Sequence, residues 1–442
     1  MMEPRSKKEE KRLQKKRARE EKKASAMAEG TWTSARKRRN QRDFHNESRD
    51  SIDVMQTQTT TETRADGFRY VAPYEHTFQV YVKARWFGKT LLQMFVEEFG
   101  GYSDAYYTAA IEHCFITLNG QRSTAATLVK DGDLLQHTTH RHEPRVQVFT
   151  EAMIEFESDD IIVVNKPSTI PVHPCGAYRH NSMVFLLAKD FSRHPLFPVH
   201  RLDRLTSGLL VLAKTPEKAQ VLSAQLIDRT VQKYYWAKVD GGFPSIGETT
   251  ENEAALASLR RHLPPCATIS IETHASIQYF KISAPLQRIA DLENRHGIHA
   301  EGKLSETLVR LVVNVDGTHS ILECLPLTGR QHQIRVHLQG IGFPIANDPL
   351  YGPSAFVDAI LSVPGQEAPV VSSADTTGSL LRDICPSCQG GDGATFNWEQ
   401  LHCQGIWLHA FRYKGQSWDV SVASPPWAPN IPRPIAADAT LS

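Results

Sequence analysis

A chain of 442 residues is long enough for two or three domains, and its core needs neither disulfide nor metal to hold it together. Seven cysteines without framework spacing fit a reducing compartment better than a secreted protein. No apolar run approaches the roughly 20 residues of a membrane span, so a membrane-spanning protein is not expected. The formal net charge of +1 is unevenly distributed, because residues 1–42 hold about 16 Lys/Arg against about 6 Glu.

The basic N-terminal segment predicts attraction to phosphate groups or nuclear import, and the alternative is a solvated, partly helical tail. Its scattered glutamates argue against a mitochondrial presequence. The residues that follow, 43–70, are polar, and Thr57–Thr63 is rich in Thr and Gln, which indicates a linker. We therefore predict a disordered basic tail and linker over 1–70, in a monomeric protein of the cytoplasm or nucleus.

Short elements in residues 71–148 predict a small α+β module. Thr77–Val82 alternates like a strand, and Leu91–Phe99 carries apolar residues at helical spacing. Phe115–Gly120 reads as a strand that ends in an Asn-Gly turn, and Val129–Asp133 forms a second turn.

A larger body is predicted over 149–430, with a short tail at 431–442. The spacing of its strands indicates an α+β domain with a mostly antiparallel mixed sheet, and with helices and loops around a central cleft. Residues 244–275 lack sustained periodicity and 353–400 are rich in Gly, Ser, Asp and Pro, so both are expected to be inserted surface loops. The predicted strands are Ile161–Val164, Leu209–Leu212, Tyr234–Val239, Thr307–Val315 and Ile321–Pro326, and the clearest helix is Lys218–Leu226.

Two segments concentrate polar residues in apolar surroundings. His200–Gly208 sets Asp203 between two arginines just before a buried strand, which suits a nucleophile or general base, or else an Asp that only caps a turn. Leu327–Leu338, read as a helix, puts His332 and Arg335 on one face, while Ile334, Leu338 and, in the first segment, Leu202 belong to the core. Such a face binds phosphate, pairs with a carboxylate or is simply solvated.

Taken together, these segments resemble the RNA pseudouridine synthases of the RluA type. The resemblance rests on a His-Arg-Leu-Asp-x-x-Thr-Ser-Gly block, a Thr-Gly-Arg-x-His-Gln-Ile-Arg-Val-His-Leu block and Asn347–Gly352, in that order. It spans roughly 150–352 and resumes at Trp407–Ala410. Tyr178–Ser182 and His140–Pro144 are similar to the eukaryotic branch that modifies tRNA, and the small module resembles a ribosomal-protein-type RNA-binding module. Further matches are Val163–Pro167, Pro171–Pro174, Lys233–Tyr235 and Gly302–Thr307.

The resemblance implies an isomerase that converts uridine to pseudouridine in RNA without a cofactor. The target that it implies is a uridine in the anticodon loop of tRNA. It implies that Asp203 is the catalytic carboxylate, that Tyr235 stacks on the target base and serves in the final proton removal, and that Arg335 pairs with Asp203. Arg201 matches the position that fills the gap left by a flipped nucleotide. The remaining candidates for RNA contacts are His200, Arg204, Lys166, Lys303, Arg330 and His332.

Cys385 and Cys388 have zinc-knuckle spacing, with Cys403 and His409 as further potential ligands. A lone Cys-x-x-Cys in a polar insertion is weak evidence, and His409 falls in a stretch that resembles a core strand, so no metal is predicted.

Two other functions stay open from the residues. One is an RNA-binding protein that keeps the fold but has lost the catalytic activity. The presence of Asp203, Tyr235 and Arg335 argues against this alternative. The other is a zinc deaminase, which needs His-x-Glu upstream of Pro-Cys-x-x-Cys. The residue before Cys385 is Ile384 rather than Pro, and no His-x-Glu stands at a suitable distance upstream, so this second alternative is disfavoured.

Overall fold

The computed structural model describes residues 59–99, 101–290, 295–315, 317–353, 380–388, 405–428 and 431. All of them belong to one compact unit, Val54–Ser442. The predicted basic tail and most of the predicted 353–400 insertion lie outside the described residues. Within the described part of the chain, none of the helices combines the length and the apolar character that crossing a membrane requires.

Two three-stranded sheets occupy the N-terminal part of this unit. One has the strand order β1-β2-β6, and the other has the order β3-β5-β4. The second sheet carries two helices, α1 (Leu91–Glu98) and α2 (Asp104–Glu112). The strands are β1 (Thr61–Thr63), β2 (Phe68–Val71), β3 (Tyr74–Tyr81), β4 (Ile116–Leu118), β5 (Leu134–Arg141) and β6 (Val146–Gln147), and a 3-10 helix spans Ala84–Trp86.

Local sequence explains the helix and the turn of this second sheet. Thr90 caps α1 in a reciprocal capping box with Gln93, and the side chains that α1 buries follow helical spacing. Asn119 and Gly120 both have positive φ, at 54° and 71°, as a tight Asn-Gly turn requires. The strand, helix and turns predicted between Thr77 and Asp133 are therefore confirmed.

The rest of the unit is built on a twelve-stranded sheet. Its main path runs β12-β13-β15-β16-β11-β17-β10-β8-β7, with β14, β18 and β9 paired at its sides. Neighbouring strands are antiparallel except β10 and β17, which are parallel. The strands are β7 (Ile154–Glu157), β8 (Ile161–Lys166), β9 (Phe197–Pro198), β10 (Ser207–Ala213), β11 (Gln232–Asp240), β12 (Thr268–His274), β13 (Ile277–Arg288), β14 (His296–Ile298), β15 (Lys303–Val315), β16 (His319–Pro326), β17 (Leu408–Lys414) and β18 (Asp419–Ser421).

Helices cover this sheet, which confirms the α+β class and the mostly antiparallel, mixed character of the sheet. They are α3 (Met183–Lys189), α4 (Pro216–Ile227), α5 (Thr249–Arg260) and α6 (Gln333–Gly340), with a 3-10 helix at Glu151–Met153. The short α7 (Leu380–Asp383) lies instead against β5 in the N-terminal part of the unit.

Strand β8 is buried on both of its faces. Ile161 and Val163 belong to the large core that also holds Leu222 of α4, whereas Ile162 and Val164 belong to a second core with residues of α3. A strand covered on both sides favours apolar residues at successive positions, which is why Ile161–Val164 form a continuous apolar run rather than an alternating one.

Two of the sequence-based expectations about loops are wrong. Residues 244–275, expected to be a surface loop, contain α5 and the edge strand β12. Their periodicity is weak because α5 buries only Ala255 and Leu259 and because β12 has a single neighbouring strand, β13. Likewise Thr61–Thr63, assigned to the linker, pairs with β2, so tertiary pairing overrides a polar composition.

Candidate active site

Asp203 lies in the loop that leads directly into β10. Its carbonyl accepts the Thr206 N–H at 3.0 Å, and its side chain is 25% exposed. The loop joins the sheet at Gly208, where φ is 111° and a Cβ atom would lie 2.1 Å from the Ala410 carbonyl oxygen. Only glycine fits this close parallel contact between β10 and β17. The Ser207 hydroxyl fixes the same crossing through His409 Nδ1, at 2.9 Å.

The buried side chain of Lys166 anchors the Asp203 loop through hydrogen bonds to backbone carbonyls. Its side chain is fully buried, and Nζ donates to the carbonyls of Pro167, Ile170 and Arg204 at 2.9, 2.8 and 3.3 Å. Burial lowers the pKa of Lys166 to about 7. The predicted contact of Lys166 with the RNA backbone is therefore wrong, because an ammonium group in the core cannot reach a phosphate. In the sequence, Lys166 stands just after an apolar run that predicts a buried strand, and this position was the available indication of its burial.

Tyr235 lies on β11 and is 8% exposed. Its hydroxyl is hydrogen-bonded to the hydroxyl of Tyr413 on β17, at 3.1 Å. Burial raises the pKa of Tyr235 to about 12, and the charge of Asp203 adds to the shift although the Tyr413 bond opposes it. The phenol is therefore protonated at neutral pH, and it lies within electrostatic range of the Asp203 carboxylate.

Arg335, in the first turn of α6, forms a buried two-point ion pair with Asp348. Nε and Nη2 donate to Oδ2 and Oδ1 of Asp348 at 2.6 and 2.8 Å, and Oδ1 also accepts the N–H groups of Leu350 and Tyr351. Burial disfavours the charged form of both side chains, but the attraction and hydrogen bonds between the two outweigh this effect. Asp348 raises the pKa of Arg335, and Arg335 lowers that of Asp348 below its usual range.

The expected pairing of Arg335 with Asp203 is thus corrected. Both guanidinium bonds go to Asp348, which is fully buried and already held by two backbone N–H groups, whereas Asp203 is partly exposed. Asp203 acts on Arg335 only through its charge, as one of the causes that raise the arginine pKa. The sequence contained Asp348 inside the Asn347–Gly352 block but gave no indication of its role.

The ring of His332 lies close to the carboxylate of Asp203. The residue precedes α6 in the left-handed conformation, with φ at 57°, and its Nε2 lies 3.9 Å from Asp203 Oδ2. Nδ1 meets the Tyr351 hydroxyl at 2.8 Å, so the tautomer that accepts this bond points its Nε2–H toward the aspartate. Burial, together with Arg335, lowers the pKa of His332 to about 4, and the ring is neutral at pH 7.

The other residues predicted to contact RNA differ in their solvent exposure. The contact predicted for His200 is corrected, because its Nε2 accepts the Val211 N–H at 3.2 Å, its Nδ1 is buried and its ring packs on Tyr413. Arg201 and Lys303 are exposed, while Arg204 and Arg330 are half-buried.

A cavity of about 490 Å³ adjoins the Asp203 loop. Its lining includes Lys166, Ser207, Trp407 and His409, and Asp203 is not among the residues that line it. The cavity therefore contributes nothing to the assignment of the site.

Cys385 and Cys388 lie together with His140 and His142, and the four possible ligand atoms are within 4.8 Å of one another. Cys403 is outside the described residues. His409, the other ligand considered from the sequence, lies instead in β17, where it contacts Ser207 and the carbonyl of Ala423.

Three buried neutral histidines predict a loss of stability in acid. Burial lowers the pKa of His332, His337 and His409 to about 4 each, against about 6.5 for an exposed ring. As the pH falls from about 6.5 to about 4, the unfolded chain takes up protons that the folded chain cannot, so the free energy of unfolding decreases. Urea unfolding at about pH 7, 6 and 5 measures this. A His337→Gln variant should show a shallower pH dependence, and an unchanged slope would contradict the assignment.

The chain matches known proteins over most of its length. A family model described as RNA pseudouridylate synthase matches residues 160–340. RNA pseudouridine synthase 7 of Arabidopsis thaliana is 34% identical over 82% of this chain and 87% of its own. Two Saccharomyces cerevisiae proteins are also similar. The mitochondrial tRNA pseudouridine(32) synthase is 33% identical over 81% of this chain and 77% of its own, and tRNA pseudouridine(31) synthase is 31% identical over 65% and 72%.

Proposed function

The chain belongs to the RNA pseudouridylate synthase family, and from this membership we propose that Asp203 is the carboxylate with which it isomerises uridine to pseudouridine in a tRNA anticodon loop. The observation that carries the proposal is the position of Asp203. Its loop is fixed by Lys166 and by the crossing of β10 and β17, and its partly exposed carboxylate lies beside His332 and in the field of Arg335.

The reaction is an isomerisation, in which the atoms of the substrate are conserved. The bond between ribose C1′ and uracil N1 breaks, the base turns, and C1′ bonds to C5. The C5 proton is then lost and N1 gains one, so no external oxidant or reductant is consumed. A carboxylate serves this chemistry either by attacking the sugar or by removing a sugar proton, and Asp203 is suited to both.

Tyr235 assists mainly through its aromatic ring. With a pKa of about 12 it carries its proton at neutral pH, so it does not act as a free base. It could accept the C5 proton only after losing its own, and its hydrogen-bond neighbour at 3.1 Å, Tyr413, is a buried phenol whose pKa is also raised by burial, so it offers no ready acceptor. We therefore assign Tyr235 mainly to packing against the everted uracil.

A uridine within folded RNA must leave its stack to reach Asp203. Arg201 is exposed two residues before the carboxylate, which suits a side chain that fills the vacated gap. Arg204, Arg330 and the exposed Lys303 are assigned to backbone phosphates, and His332 to the sugar or phosphate of the everted nucleotide.

The proposed substrate is a uridine of the tRNA anticodon loop. The anticodon loop is the target that the family resemblance implies, and the two yeast relatives, whose names specify tRNA positions 31 and 32, support tRNA as the substrate. Pseudouridine mapping of total RNA from cells with and without this protein tests the assignment. We expect a signal to disappear at one of these adjacent tRNA positions. Loss of pseudouridine only from ribosomal RNA would overturn the tRNA assignment while leaving the enzymatic one in place.

We further assign RNA affinity to the small module and to the basic N-terminal segment, whose charge also supports a nuclear or cytoplasmic location. Deleting residues 1–42 removes a net charge of about +10, so RNA affinity should fall and its dependence on salt should flatten while turnover at saturating RNA persists. Binding titrations at several salt concentrations measure both effects. An unchanged salt slope would count against a role for this segment.

A further inference from the structure

Four potential metal ligands from distant parts of the chain meet at the end of β5. His140 Nδ1 lies 3.1 Å from His142 Nε2, and Cys388 Sγ lies 3.2 and 3.4 Å from these two nitrogens. All four ligand atoms, including Cys385 Sγ, fall within 4.8 Å of one another. The cysteines follow α7 in a tight turn, in which the Cys388 N–H donates to the Cys385 carbonyl at 3.1 Å.

The three separations among His140, His142 and Cys388 are close to, and slightly shorter than, those in a tetrahedral zinc site, and Cys385 Sγ lies within 4.8 Å of the other ligand atoms. With Zn–N at about 2.05 Å and Zn–S at about 2.3 Å, tetrahedral ligand atoms are separated by roughly 3.3–3.8 Å. Hydrogen bonding alone does not account for the cluster. Each ring nitrogen either donates one proton or accepts one, and a thiol has one proton, so His140, His142 and Cys388 cannot satisfy three mutual contacts. A cation among them satisfies all three at once.

We propose that His140, His142, Cys385 and Cys388 form a structural zinc site. Four protein ligands, all nitrogen or sulfur, close the coordination sphere and leave no position for a substrate or an activated water. Thiolates and imidazoles also favour zinc over magnesium or calcium. Burial agrees with a structural role, since His140 is 7% exposed and Cys385 is 3% exposed. The set is complete without Cys403.

The position of the site indicates what it stabilises. His140 belongs to β5 of the small module, whereas Cys385 follows 245 residues later, and the neighbouring Ile384 packs against the module core. Immediately after His142, Glu143 accepts the backbone N–H groups of Arg179, His180 and Asn181. Zinc would therefore tie the late segment to the module at the point where the module joins the large sheet.

Metal content of the intact chain, purified without a histidine tag, is the first test. By inductively coupled plasma mass spectrometry we expect about one zinc ion per chain, and about a tenth of that or less in a Cys385→Ser/Cys388→Ser variant. Cys266→Ser is the matched control, because Cys266 is a free cysteine outside the cluster, and it should keep its zinc. An unmodified chain with no more zinc than the double variant would overturn the proposal.

Cobalt substitution tests the geometry without any variant. After chelation and addition of Co²⁺ alone, we expect the intense visible bands of tetrahedral cobalt and a sulfur-to-cobalt charge-transfer band. Weak octahedral bands, or a Cys385–Cys388 disulfide in the freshly purified protein, would contradict the assignment. The proposal does not depend on Asp203. An Asp203→Asn variant should keep its full zinc content, so failure of the catalytic assignment and failure of the metal site are separately visible.

Discussion

Replacing Asp203 with Asn should abolish pseudouridine formation while leaving RNA binding nearly intact. Asparagine has the size of aspartate but no charge to attack the sugar or accept its proton, so a loss of at least about 10³-fold in rate is expected. The side chain is partly exposed and has no strong ion pair among the described residues, so the fold should persist. Single-turnover assays with a tRNA transcript, together with a binding titration, measure both quantities.

Asp240→Asn is the matched control for this experiment. Asp240 is an exposed aspartate at the end of β11, the strand that carries Tyr235, and its loss should leave the rate within about twofold of the parent protein. If Asp203→Asn retained turnover, the chemistry would lie elsewhere. If the unmodified protein bound tRNA tightly but made no pseudouridine, the RNA-binding alternative would replace the enzymatic assignment.

The sequence predicted the elements that local patterns determine. Apolar runs located β8, β10, β11, β15 and β16, and the spacing of apolar residues located α1 and α4. Motif order brought Asp203, Tyr235 and Arg335 into one family pattern. Burial of Ile334 and Leu338 also followed from helical spacing.

What the sequence could not predict is which partner each polar side chain takes. Lysine is a residue type that commonly binds phosphate, but the sheet buries Lys166, and its hydrogen-bond partners are carbonyls up to 38 residues away. Arg335 bonds Asp348 rather than Asp203 because two backbone N–H groups already orient the Asp348 carboxylate. His140 and His142 match only a family branch in the sequence, since nothing local links His140 to Cys385, which lies 245 residues later.

Replacing Asp348 with Asn should destabilise the protein more than the loss of any surface ion pair. Arg335 would keep its charge in the core without a carboxylate, which costs roughly 3–5 kcal/mol of unfolding free energy. Because Arg335 holds the pKa of Asp348 below its usual range, the contribution of this carboxylate is fully present above about pH 4 and is lost as the pH falls further. Urea unfolding at neutral pH measures the cost.

The same substitution distinguishes a positioning role for the Arg335–Asp348 pair from a purely structural one. Asp348→Asn protein that remains folded should turn over more slowly at saturating tRNA with little change in KM, because Arg335 would no longer be held where its charge acts on Asp203. Glu151→Gln, which breaks an exposed pair with Arg193, is the control and should cost less than about 1 kcal/mol. In an Arg335→Gln/Asp348→Asn double variant the loss of stability should be smaller than the sum of the single losses, since no unpaired charge remains buried. Additive losses would mean that the two residues do not act as a pair.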